Sequence, residues 1–157
     1  MRKPILKTRI RETVGKTTNL EIPFTTEALR ATLERLKSEY WAYQEKRDRD
    51  AVFGYLNAIF ETVAWWHHVG RAKEYAQQAL RLQRPPIPKI RNPIAALIYC
   101  SSDREKIDFK TRSKWARLLT YAKVFKDPDE SLIDFVRRRG GINKVAARYA
   151  RQFGRNS

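Results

Sequence analysis

Apolar residues recur three and four positions apart through most of this chain, the spacing that lays them along one side of an α-helix. Leu29, Leu33, Leu36, Tyr40 and Tyr43 mark a first helix, reaching to about Lys46. Thr25 stands at its N-cap and Glu27 in its first turn, where a hydroxyl acceptor and a negative charge are both favourable. After the charged break KRDRD a second helix is expected from about Arg49 to Val69, turned inward through Val52, Tyr55, Leu56, Ile59, Phe60, Val63 and Trp66. Gly70 suits its C-terminal cap. A third, from about Arg71 to Leu82, offers Ala72, Tyr75, Ala76 and Ala79 to a core.

The stretch QRPPIPKIRNP (residues 83–93) holds four prolines and breaks this rhythm. It predicts an extended connector, made basic by Arg84, Lys89 and Arg91. Asn92 then caps, and Pro93 opens, a short helix through Ile94, Leu97 and Ile98. Ser102 and Glu105 have capping-box spacing ahead of a further helix to about Phe125 that buries Trp115, Leu118, Leu119 and Ala122. KDPDE ends it. A short helix from Ser131 to Arg139 and a terminal one from Ile142 to about Phe153 follow. Near the start, Ile5, Leu6 and Ile10, then Leu20, Ile22 and Phe24, flank Gly15-Lys16 as a short hairpin or an extended basic arm would. The expected fold is an all-α bundle of about six to seven helices. Residues 1–24 form the arm or hairpin, 25–82 a helical scaffold, 83–92 the connector and 93–157 a basic C-terminal subdomain.

Charge changes the picture. Of the formal +16, residues 26–70 contribute nothing positive, with six Lys/Arg against seven acids, whereas residues 103–157 carry fifteen against seven. A near-neutral scaffold with basic flanks suits an anionic partner: DNA or RNA first, an acidic protein second and a membrane surface third. Four Trp, seven Tyr and seven Phe supply enough aromatic bulk for a core. Cys100 stands alone, which rules out an intramolecular disulfide and fits a reducing compartment. The start, MRKPILKTRIRE, has no apolar core of a signal peptide, and the run around Ala51–Val69 is interrupted by Gly54, Asn57, Glu61 and Thr62. No membrane segment is expected, and the location is expected to be cytoplasmic, with the nucleoid as the site of a DNA-binding protein.

The clearest chemical signal is the last helix. Ile142, Val145, Ala146, Tyr149 and Phe153 form one stripe, while Lys144, Arg148, Arg151 and Arg155 fall opposite at spacings of four, three and four. An inert helix surface usually mixes signs to gain i,i+4 pairs; four cations without an acid favour phosphate contact over a plain solvated face. Lys110, Lys114 and Arg117 form a second basic row beside Tyr121, and Arg137, Arg138 and Arg139 cluster at a helix C-terminus. These ten cations are the expected nucleic-acid-binding set.

The segment LIDFVRRRGGINKVAARYA resembles the opening of Fis-type helix-turn-helix domains: an apolar helix, a Gly-Gly turn, then a helix with small residues such as Ala146 and Ala147. In that family a further helix enters the major groove. Here Gln152–Ser157 follow instead, so backbone contacts are expected to dominate over base reading.

Other constellations carry less. VGKTT (residues 14–18) resembles the end of a phosphate-binding loop, yet Ile10 stands where a glycine is required. In WWHH (residues 65–68), Trp65 and His68 share a helix side with Asn57 and Glu61. An acid–base pair or metal site there would need more ligands than two histidines provide. The expected reading is a hydrogen-bonded polar seam on a buried helix; if the seam is exposed, Trp65 and His68 become an anchor for a partner protein. Asp103, Glu105 and Asp108 precede a helix and are expected to cap it rather than bind metal. No nucleophile–base arrangement appears, so no catalytic residue, metal or cofactor is expected. The function expected is a non-enzymatic nucleic-acid-binding accessory or regulatory protein, with a homodimer left open. The alternative is a protein-interaction regulator or inhibitor, of the kind a mobile element encodes, using the same cationic face.

Overall fold

Each stretch of helical spacing folds as a helix. The computed structural model describes residues 25–154 apart from Arg47; the expected N-terminal arm or hairpin, and Arg155, lie outside the described residues. The elements are α1 (Thr26–Glu45), α2 (Val52–His68), α3 (Ala72–Arg81), α4 (Pro93–Ser101), α5 (Phe109–Phe125), α6 (Leu132–Arg138) and α7 (Ile142–Phe153). The fold is all-α, with no strand among the described residues. None of the described helices is long and apolar enough to cross a membrane.

The chain divides into two units after Arg30. The described part of the first is the opening turn of α1, where Ala28 N–H donates to Thr25 Oγ1 at 3.0 Å, the cap its sequence predicts. In the second unit α5 is the hub: it packs most extensively on α7, and also on α4 and α2. Its Trp115 is buried edge-on to Tyr43 and Tyr55, with ring centroids 6.1 and 5.9 Å apart, and Tyr55 meets Tyr40 at 5.5 Å. Edge-to-face contacts set the positive rim of one ring against the negative face of another. The Tyr55 hydroxyl lies 2.7 Å from Ser101 Oγ, which gives its own proton to Leu97 O at 2.6 Å. Tyr55 therefore donates, its polar tip is satisfied, and burial holds its phenol well above the ordinary pKa. Through these rings α1, α2, α4 and α5 share one core, and truncating Trp115 to alanine would cost about 3–5 kcal/mol.

Two boundaries differ from expectation, each because a short side chain bonds elsewhere. Asp48 Oδ1 accepts from Asp50 N–H at 2.9 Å, and the turn this closes delays α2 to Val52 rather than Arg49. The Ser102 hydroxyl donates back to Ile98 O at 2.6 Å, so it does not cap a following helix. Asp103 Oδ1 closes a turn onto Glu105 N–H, and Asp108 caps α5 through Thr111 N–H at 2.8 Å. Residues 83–92 contain no helix or strand, and Gln77 Nε2 ties this stretch back to α3 by donating to Ile90 O at 2.8 Å. Asn92 Oδ1 accepts from Ile94 and Ala95 N–H, with Pro93 opening α4.

The turn from α6 to α7 rests on Gly140 and Gly141, with φ of 98° and 107°. Side chains rarely adopt this region. Nothing crowds a Cβ at Gly141, whereas one at Gly140 would lie 2.6 Å from Lys144 Cδ. Gly141→Ala should therefore cost about 1–3 kcal/mol through the backbone alone, and Gly140→Ala should also displace Lys144. Gly54 lies inside α2 with only Glu39 Oε1, at 3.8 Å, near its missing Cβ. Gly54→Ala should stabilise by about 0.5–1 kcal/mol. Urea unfolding of the three variants checks both signs.

Candidate nucleic-acid interface

α7 is amphipathic because its buried residues, Val145 and Ala146, fall on the side that meets α5, flanked by half-buried Ile142, Tyr149 and Phe153. Phe153 reaches the end of α5, its ring 6.4 Å from that of Phe125. Lys144, Arg148 and Arg151 consequently face outward and are exposed. The helix contains no acid, and none of the three has an ion pair among the described residues. Seven residues at about 1.5 Å each spread them over roughly 10 Å of axis.

The second row is less uniform. Lys110 is exposed on the first turn of α5, and Lys114 and Arg117 are half-buried. Lys114 lines a cavity of about 400 Å³ with Arg49, Arg137, Gly140, Gly141 and Asn143. Asp50 lines it too, paired with Arg137, and the start of α7 beside it has no side-chain cap. Arg117, three residues further along α5, lines a separate cavity, and its Nε is buried with no hydrogen-bond partner among the described residues.

The three consecutive arginines have separate environments. Arg137 pairs with Asp50, tying the end of α6 to the approach to α2. Arg138 makes a fork with Glu130, Nε and Nη2 donating at 2.8 and 2.9 Å. That fork holds the Glu130 carboxyl below its usual pKa and raises that of the guanidinium. Arg139 turns inward: its guanidinium carbon lies 4.8 Å from the Phe135 ring centre and 5.5 Å from that of Tyr121, whose hydroxyl accepts from Nη1 at 3.2 Å. The structure therefore brings Lys144, Arg148 and Arg151 together as unpaired cations, and engages Arg137, Arg138 and Arg139 within the fold. Arg155, the tenth member of the expected set, lies outside the described residues.

The WWHH stretch departs from expectation. Trp66 is buried, edge-on to Tyr75 at 5.5 Å, but the supposed seam is on the surface: Glu61, Trp65 and His68 are exposed, Trp65 at 56%. Trp65 and His68 stack at 5.4 Å with a 30° tilt. Periodicity identified the covered side of α2, where Tyr55, Ile59 and Trp66 meet α3, α4, α5 and α6, but it could not tell that the Glu61–Trp65–His68 side stays uncovered. Among the described residues no cluster of three or more His, Cys, Asp or Glu is placed to hold a metal. Cys100 is buried, and desolvation pushes its thiol up to about 12, out of nucleophilic range at neutral pH.

Sequence reasoning missed an aromatic groove beside Arg117. Tyr99, Phe109 and Tyr149 come to it from α4, α5 and α7, and Arg112 and Arg117 line it as well. Only the exposed placement of Phe109 directly after the Asp108 cap could have hinted at it, since the other walls meet through tertiary contact. Comparison with known proteins adds no further constraint: no protein-family model, no curated protein and no solved structure matches the chain.

Lys123 Nζ lies 2.8 Å from His67 Nε2, joining the ends of α5 and α2. Desolvation, and then the Lys123 charge, lower the imidazole below its usual 6.5; desolvation lowers Lys123 as well. An ammonium donating to a neutral ring accounts for the contact. The unfolded chain holds the His67 proton more tightly, so unfolding takes up a proton and stability falls on acidification below about pH 6.5. Thermal unfolding between pH 7.5 and 5 should show this loss, and His67→Gln should flatten that part of the profile.

Proposed function

We propose that this chain is a non-enzymatic nucleic-acid-binding protein, an accessory or regulatory factor whose first partner is DNA. The observation that carries the reading is the outer face of α7: Lys144, Arg148 and Arg151 exposed, unpaired and without an acid on the same helix. Holding three cations side by side costs electrostatic self-repulsion that a polyanion relieves, with release of its condensed counterions. Lys110, and Lys114 beside the uncapped start of α7, extend the same chemistry along α5. On this reading α6 and α7 correspond to the opening helices of a Fis-type helix-turn-helix. The contacts run to phosphates, and sequence preference comes from elsewhere. RNA offers the same phosphates and is the variant of this reading.

A second reading is supported by Trp65. An exposed indole stacked on His68 is the kind of anchor a protein partner uses. The two surfaces are separable by substitution.

The test is a salt series of affinities for duplex DNA. Replacing both Arg148 and Arg151 by Gln should make the slope of log affinity against log salt shallower by about two. Affinity near 0.1 M salt should fall on the order of tenfold to a hundredfold, with unfolding unchanged. An unaltered slope would remove α7 as the contact surface. Trp65→Ala with His68→Ala should leave the salt series as it was and abolish capture of a protein partner under the second reading.

A further inference from the structure

The aromatic groove is the feature that phosphate contact by α7 leaves unexplained. It encloses about 370 Å³ between the end of the connector, α4, α5 and α7. That is at the small end of the roughly 300–1,000 Å³ of ligand pockets. Phe109 stands 74% exposed at its edge, on the first residue of α5, and Tyr149 enters from the inner flank of α7. Tyr99 is held from one side by Arg104, whose guanidinium carbon lies 4.1 Å from the ring centre and whose Nη1 donates to Tyr99 O at 3.0 Å. Arg112 donates through Nη1 to Ile107 O at 2.9 Å, which leaves its other N–H groups for the groove. Arg117 contributes a buried Nε that finds no acceptor among the described residues.

Planar apolar faces interleaved with guanidinium donors are what an unpaired nucleotide requires: a ring to stack on, and cations for its phosphate and base edge. An apolar protein helix would satisfy the rings but leave the buried Arg117 Nε without an acceptor. Residues 1–24 of this chain carry six Lys/Arg against two acids, so like charge opposes their entry. Tyr149 belongs to the helix whose outer face presents Arg148, so a strand whose phosphates lie along α7 runs past the mouth of the groove. Building on the nucleic-acid reading, we propose that this groove receives one unpaired base of single-stranded DNA, stacked on Phe109 with its phosphate on Arg112 and Arg117. The protein would then prefer DNA that has a single-stranded segment next to a duplex.

Fluorescence anisotropy with three labelled probes tests this: a blunt duplex, the same duplex with a thymidine tail, and one with an abasic tail of equal phosphate count. The thymidine tail should bind about tenfold tighter than the abasic one. Phe109→Ala should bring it down to the abasic level without changing blunt-duplex affinity. Phe109→Leu, which keeps apolar bulk but no ring, should behave like Phe109→Ala. Equal binding of the two tails by the unsubstituted protein overturns the proposal while blunt-duplex binding upholds the phosphate reading. A Phe109→Ala loss equal on all three probes also overturns it. A fourth probe, the same duplex with a uridine ribonucleotide tail, overturns the assignment to DNA if it binds tenfold tighter than the thymidine tail, and no binding of any probe at low salt overturns both readings.

Discussion

The seating of α7 against α5 governs what this protein presents to its surroundings. Val145 and Ala146 are the fully covered residues of α7, and their small side chains let the helix approach α5 closely. That contact decides which side of α7 faces out. The Gly140–Gly141 turn sets the direction from which the helix arrives, using backbone angles that a side chain would strain. Trp115 in turn holds α5 against Tyr43 and Tyr55, so the basic surface is referenced to the same core that organises the scaffold.

Formal charge and available charge are different quantities here. Of the three arginines in sequence at the end of α6, one anchors to Asp50, one forks onto Glu130 and one lies against the Phe135 ring. They are structural cations: they fasten α6 to the turn before α2, to the α5–α6 loop and to the aromatic cluster. The cations on α7 have no such duty. A residue count treats both groups alike, although only the second is without an ion pair among the described residues and so open to exchange counterions for a partner.

Helix identity was legible because it depends on local spacing. All seven helices among the described residues follow from apolar residues three and four apart, and Asn92, Asp108 and Ser131 cap as short acceptor side chains do. The start of α5 was misread because Ser102 has two backbone options, forward to a new helix or back to Ile98 O, and it takes the second. The outward face of α7 could be read from the segregation of its charges. The inward turn of Arg139 could not, since it requires knowing that Tyr121 and Phe135 converge from different helices. Nor could the exposure of Trp65, or the groove at Phe109, whose walls are more than fifty residues apart along the chain at Pro88 and Tyr149.

On α7 the positions that hold the helix in place and the positions that meet the outside world are disjoint: Val145 and Ala146 do the first, Lys144, Arg148 and Arg151 the second. Substitutions on the outer positions therefore carry little penalty in foldedness, and a lineage can retune or invert that face one residue at a time while every intermediate stays folded. The α6 arginines offer no comparable latitude, because each change there removes a fastening. Descendants of this fold should thus diversify in what they attract faster than in how they are built.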